Sequence, residues 1–275
     1  MKLAIDLGGT NIRIGQIEGG SVVRKTGIPC PSQESYSEVL SRIEVLIEQM
    51  MTGQVEGIGI GVPSVVDSEK GIVYNVANIP SWKEVHLKAV LQEKFSVPVY
   101  VNNDANCFAL GEKLFGEGTS FNNVVGLTLG TGVGTGIIIN GKLYSGHNTG
   151  AGEIGSLPYL KRDFEYYCSS AFFVDNYQIS GKEAAERAAC NDTFALNIWK
   201  DFGVHIGNLM KAILFTYDPE AIIIGGGIAT AFPFFVESMK ESMSTFPYPE
   251  TLKRVRIVVS KNENISLLGA SALIV

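Results

Sequence analysis

The 275-residue chain reads as an α/β protein made of two similar halves with a cleft between them. Three observations predict this. The segment "LAIDLGGTNIRIG" (3–15) runs apolar strand, Gly/Thr turn, return strand. The segment "VGLTLGTGVGTGIII" (125–139) repeats that pattern. After each, apolar strands alternate with helices whose hydrophobic residues recur at helical spacing.

The elements follow in order. Leu3-Ala4-Ile5 is a short buried strand, and residues 11–17 alternate as its return strand. Asp6-Leu7-Gly8-Gly9-Thr10 makes the tight turn between them. Residues 36–51 form an amphipathic helix, with Val39, Leu40, Ile43, Leu46, Ile47 and Met50 on one face. A strand at 55–62 runs into Pro63, a helix covers 84–95, and a strand covers 97–101. The second half opens with a strand at 124–129, a glycine-rich turn at 130–136 and a return strand at 137–139. A long helix fits 192–216, with Phe194, Ile198, Phe202, Ile206, Leu209 and Ile213 in register. The strand 221–224, the turn Gly225-Gly226-Gly227 and a helix at 228–243 complete the pattern. Ligands of such sheets sit at the carboxyl ends of the strands. The expected division is 1–110 plus 264–275 for the first domain and 111–263 for the second.

Composition narrows the function classes. Hydrophobic residues make up 45% and charged residues 18%, a globular balance. The net charge of -6 argues against general binding to nucleic acid or to an anionic membrane. Local backbone N–H groups and a cation still let an acidic chain take up nucleotide phosphates. Cys30, Cys107, Cys168 and Cys190 lie far apart without a Cys-x-x-Cys pair, which suggests neither a disulfide framework nor a zinc site. Reduced thiols and the lack of a signal-peptide pattern in "MKLAIDLGG" lead to a cytoplasmic expectation. The uncharged stretches 124–139 and 221–236 carry too many glycines for a membrane span.

Two motifs are rejected. "GIIINGKL" (136–143) matches the phosphate-loop spacing, but Leu143 stands where a hydroxyl must hold Mg²⁺. Asn140-Gly141 there signals a hairpin turn instead. The glycines at 130–136 lead into a strand, so they make no dinucleotide fingerprint. Three glycine turns remain, at 8–9, 130–136 and 225–227. Glycine lets backbone N–H groups reach phosphate oxygens, and Thr adds hydroxyl donors. Asp6 beside the first turn suits phosphate only if Mg²⁺ intervenes, directly or through water. "VPVYVNNDANCFALGE" (97–112) breaks from strand to helix at Asp104, a carboxylate flanked by amides. It reads either as a helix cap or as a proton carrier.

"AIDLGGTNIRIG", "VNNDANCFALGE", "GLTLGTGVGTGII", "GAGEIG" and "DPEAIIIGGGIA" together resemble the ROK family (repressor, open reading frame, kinase). "LLGASAL" (267–273) resembles its closing helix, so the likeness covers nearly the whole chain. The resemblance implies two ribonuclease H-like domains of the actin-like ATPase type and an ATP-dependent hexose kinase acting on the sugar's 6-hydroxyl, glucose first. N-acetylmannosamine or N-acetylglucosamine are alternative substrates. It implies Asp104 as the base, with Asn78, Asn103, Glu153, Ser156 and Glu165 at the sugar. ATP phosphates are assigned to Asp6, Gly8, Gly9, Thr10, Asn11, Thr131, Gly132, Gly134, Gly226 and Gly227, with Mg²⁺ at Asp6. A homodimer is expected. The chain departs from the family at one loop. Ser156 stands at the place of a family zinc-binding His, and no cysteine lies between it and Glu165. No zinc is therefore expected. A sugar-sensing repressor would need a helix-turn-helix ahead of the first strand, and the acidic balance also disfavours that reading.

Overall fold

The structure is a computed structural model and describes residues 1–274. The first half contains β1 (Lys2–Leu7), β2 (Asn11–Glu18), β3 (Ser21–Pro29), α1 (Tyr36–Met50) and β4 (Gly57–Val62). A small antiparallel sheet follows, of β5 (Val65–Asp67), β6 (Ile72–Tyr74) and β7 (Glu84–Val85). Then come α2 (Leu87–Phe95), β8 (Val99–Asn103) and α3 (Asp104–Phe115). The main sheet has the order β3-β2-β1-β4-β8, with β1, β4 and β8 parallel. On α1 the buried face is the one expected, Val39, Leu40, Ile43, Leu46, Ile47 and Met50. Ser35 caps that helix by accepting from the Glu38 N–H, which settles one of the free donors of its first turn.

The second half contains β9 (Val124–Leu129), β10 (Val133–Ile139), β11 (Lys142–Leu143) and a 3₁₀ turn (Ile154–Ser156). The hairpin β12 (Pro158–Tyr159) and β13 (Arg162–Asp163) leads into α4 (Phe164–Cys168), α5 (Ser170–Tyr177), α6 (Gly181–Ala189) and α7 (Thr193–Tyr217). Next are β14 (Ala221–Gly225), a 3₁₀ turn (Gly227–Ala231), α8 (Phe232–Met243), α9 (Pro249–Arg254) and β15 (Arg256–Val259). Its sheet, β11-β10-β9-β14-β15, has the same order and strand directions as the first sheet. The chain then returns to the first half with α10 (Ile265–Ser271).

Each main sheet has its own core. In the first, Trp82 is fully buried together with residues of α1, β1, β4 and β8. In the second, Trp199 and Phe202 of α7 lie against Phe173 and Phe235. Burying one such side chain is worth roughly 1.5–3 kcal/mol. A third core joins the halves: Cys107, Phe108 and Ala109 of α3 and Leu267, Leu268 and Ala270 of α10 meet Ala4 of one sheet and Ile223 of the other. The expected boundary between 110 and 111 therefore falls inside α3, a helix packed on both sheets.

Several expectations are corrected. The return strand of the second half starts at Val133, not 137, so the turn is only Gly130-Thr131-Gly132. Gly134 and Gly136 are strand residues, because α3 lies against them: a Cβ on Gly136 would overlap Ala105 and Ala109. The helix expected from 84 begins at Leu87, and 84–85 is strand β7. The strand expected at 97–101 is β8, two residues later, because Asn102 and Asn103 still pair with Gly61 and Val62. Phe194 is 49% exposed on α7, so the buried row there runs through Ala195, Ile198 and Trp199 instead. Residues 228–243 begin as a 3₁₀ turn, and the α-helix starts at Phe232 with Pro233 in its first turn. Asn140 and Gly141 both have positive φ, 52° and 76°, which fits the hairpin turn read from that dipeptide.

Candidate active site

Asp104 lies where the two sheets meet. It is the first residue of α3. The cap itself is Asn103, whose Oδ1 accepts from the Asn106 N–H at 3.1 Å. Asp104 is thereby freed from the capping role, although its Oδ1 accepts from the Ala105 N–H at 2.9 Å. It is half-buried. Burial, then the neighbouring charge of Asp6, push its carboxyl up to about 7 against the opposing backbone hydrogen bonds, and Glu153 adds a smaller push. A carboxylate that exchanges its proton near neutral pH can accept one from a hydroxyl.

Asp6 occupies the carboxyl end of β1, paired directly across the hairpin with Arg13. Arg13 grips the Asp6 Oδ2 through Nε, at 3.1 Å, and through Nη2. The Gly8 N–H donates to the Asn11 carbonyl at 2.8 Å and closes the turn. Thr10 and Asn11 are exposed at its tip. A Cβ on Gly9 would overlap Asn78, so this glycine seats that side chain. Asn78 itself is exposed.

The second hairpin turn does the same with a different partner. A Cβ on Gly132 would overlap the carboxylate of Glu165. Glu165 Oε2 also accepts from the Val133 N–H at 3.0 Å. Glu153 sits just before the 3₁₀ turn that ends at the exposed Ser156. Its carboxyl is raised by burial and by the charge of Glu165, so the two acidic groups are neighbours. Gly226 has φ +86°, and a Cβ there would overlap the Leu129 carbonyl, which brings the 225–227 turn beside the 130–132 turn. Thr131 and Gly227 are exposed there, and nothing crowds Gly227. Gly134 faces Thr128 and Ala105.

The expected site residues thus fall into three neighbouring groups: Asp6 with Asp104, Gly9 with Asn78, and Gly132 with Glu165 and Glu153. Asn103 is committed on both ends, since its Nδ2 also donates to the Ser64 carbonyl at 3.2 Å. One amide hydrogen and one lone pair remain for a ligand. Sequence reasoning missed Arg13, and the hairpin register opposite Asp6 would have found it. It also missed Asn102 and Asn106, a buried pair in which Asn106 Nδ2 donates to Asn102 Oδ1 at 2.9 Å and stiffens the strand-to-helix break. Among the described residues, no three His, Cys, Asp or Glu side chains form a metal cage. None of their helices is long and apolar enough to cross a membrane.

Known proteins share this architecture. A ROK family glucokinase from Streptomyces griseus, solved with glucose and AMPPNP, superposes with a TM-score of 0.88 at 24% identity, covering 99% of this chain and 98% of that one. A glucokinase from Thermotoga maritima is 28% identical over 99% of this chain and 96% of its own length. The xylose repressor of Bacillus spizizenii is 32% identical over 80% of this chain, which spans 61% of the repressor's length. The two sheets of identical strand order are the two domains of the actin-like ATPase fold that these kinases share. The ROK family profile matches residues 2–275, and with glycine turns and Asp104 placed together at the strand ends, the chain belongs to the ROK family.

Proposed function

We propose that this protein is an ATP-dependent sugar kinase that phosphorylates the 6-hydroxyl of a hexose, with glucose the first candidate. The observation that carries the reading is Asp104, a carboxylate raised to about 7 at a helix start between the sheets, beside Asp6. In this reading Asp104 accepts the hydroxyl proton as the sugar oxygen attacks the γ-phosphorus of ATP. The bond from that phosphorus to the bridging oxygen breaks, and ADP leaves. Phosphoryl transfer relies chiefly on position and electrostatics. Asn78, Asn103, Glu153, Ser156 and Glu165 would orient the sugar. The turns around Gly8 to Asn11, Thr131–Gly132 and Gly226–Gly227 would hold the nucleotide, with Gly134 just inside β10.

A divalent cation fits the residues present. Asp6 spends Oδ2 on Arg13 and keeps Oδ1 for a cation or its water. Mg²⁺ keeps waters and binds one or two carboxylates plus phosphates, so this one carboxylate oxygen suits it. When bound, Mg²⁺ would neutralise charge on the phosphates.

A sugar-responsive regulator is the second reading, favoured by the 32% identity to the xylose repressor. A panel of hexoses and N-acetylhexosamines, assayed for ADP release, separates the two. A kinase releases ADP with at least one sugar. A regulator binds a sugar, seen by calorimetry, and releases none.

A further inference from the structure

The segment between Glu153 and Glu165 is held by rings. It contains the hairpin β12–β13, whose strands are two residues each. So short a ladder is marginal by itself. Its base is tied by the Phe164 N–H donating to the Leu157 carbonyl at 3.2 Å. Glu165 is tied to the Val133 N–H, Asp163 accepts from the Tyr166 N–H at 2.8 Å, and Ile154 is buried in the second core. Rings add to these fastenings. Tyr159 stacks on Phe164 with centroids 4.3 Å apart and planes at 9°. Its ring also meets Tyr167 edge-on at 5.5 Å and His205 of α7 at 5.7 Å. The Tyr159 hydroxyl and His205 Nδ1 share a hydrogen bond of 3.2 Å. His205 packs in turn against Tyr167 at 4.9 Å and Phe172 at 5.5 Å.

The cluster links two acidic groups to a rigid helix. Glu153 precedes the hairpin by one short turn, and Glu165 is the second residue of α4 after it. Phe164, adjacent to Glu165, is the ring on which Tyr159 stacks. Movement of Tyr159 therefore carries the Glu165 end of the segment relative to Glu153. α7 is a 25-residue helix with eleven buried residues, which makes it a firm anchor. Burial lowers the pKa of His205, which keeps the ring neutral, and pushes the Tyr159 hydroxyl up to about 12. One proton then sits between hydroxyl and imidazole in a stable pair.

We propose that Tyr159 and His205 form a clasp that sets the spacing of Glu153 and Glu165, making both ring residues positioning residues for sugar recognition. The sugar role rests on the kinase reading above; the clasp itself does not.

The test uses the full chain and the variants Tyr159→Phe, His205→Phe, their double variant and Tyr159→Leu. Hydrogen exchange over 156–166 is measured without sugar, and KM for sugar, KM for ATP and kcat with it. We expect Tyr159→Phe and His205→Phe each to raise sugar KM about fivefold, as the loss of one hydrogen bond does. The double variant should match Tyr159→Phe, which already breaks the shared contact together with the hydroxyl's bond to Asn208. Tyr159→Leu should speed exchange and raise sugar KM more, with ATP KM held. The proposal is overturned if exchange over 156–166 is unchanged in Tyr159→Leu, or if sugar and ATP KM rise together. In a wild type that turns over no sugar, the kinase reading has failed, and exchange alone decides the clasp.

Discussion

The two hairpin turns of the molecule are built alike and charged differently. In both, one glycine lies under a polar side chain: Gly9 under Asn78, Gly132 under Glu165. In both, the residue two before the first glycine faces across the hairpin, Asp6 to Arg13 and Thr128 to Gly134. There the likeness ends. The first turn carries a carboxylate gripped by a guanidinium. The second carries a hydroxyl that donates to the Gly134 carbonyl at 3.3 Å. One scaffold thus offers a guanidinium-gripped carboxylate beside Asp104 and, opposite, a hydroxyl with the Glu165 carboxylate over the turn. In the proposed kinase the cation belongs to the first half, and the second supplies hydroxyl and N–H donors. The glycines teach a second point. Glycines expected to admit phosphates serve at least as directly to seat Asn78 and Glu165.

The largest effect should come from the first half. Asp104→Asn should lower kcat by about 10²–10⁴-fold while sugar affinity stays nearly unchanged. Retention of a tenth of wild-type kcat would end the assignment. Removing Mg²⁺ with EDTA should likewise abolish turnover, and elemental analysis should find no stoichiometric zinc. Asp6→Thr makes the first turn a copy of the second. Because the charge of Asp6 raises the Asp104 carboxyl above its ordinary value, this variant should lower it, as carboxyl NMR would read directly. An unmoved titration would show that burial alone sets it. In the wild type, kcat/KM should fall as pH drops through about 7, where the base takes up its proton.

Gly132→Val tests the second half. It displaces Glu165, so sugar KM should rise about tenfold, a loss near 1.4 kcal/mol. A larger rise in ATP KM would favour phosphate approach as the reason for that glycine. The smallest effect is on stability. Asp104 holds its proton more tightly folded, at about 7, than unfolded, near 3.8. Its stabilising contribution is full below 3.8 and lost as pH rises through about 7. Asp104→Asn should therefore raise Tm relative to wild type at pH 8 and hardly at pH 4, by calorimetry.

Most of this was legible because buried faces leave a period in the sequence. The face of α1 was read residue by residue, and the duplicated hairpins were visible as repeated patterns. β3 was not read, because it lies at a sheet edge with neither face buried and shows no alternation. α6 was not read either, since only Ala184 and Ala188 are buried on it. The start of β10 was hidden by glycines, whose reason for being there is α3, more than twenty residues earlier in the chain. In the site, the turns and Asp104 were legible, whereas the Tyr159–His205 contact joins residues 46 apart that no local pattern connects.

The return of α10 has a consequence for how the molecule is made. A Cβ on Gly269 would overlap the Cys107 carbonyl and one on Gly111 the Ile265 carbonyl, so α10 and α3 interlock backbone to backbone. Gly59 of β4 lies equally close under Ala270. The first half therefore lacks part of its own interior until the second has left the ribosome. Synthesis runs from the amino end, yet the half made second can finish folding first. Throughout that interval the faces of β1, β4 and α3 that α10 will cover stay open to water.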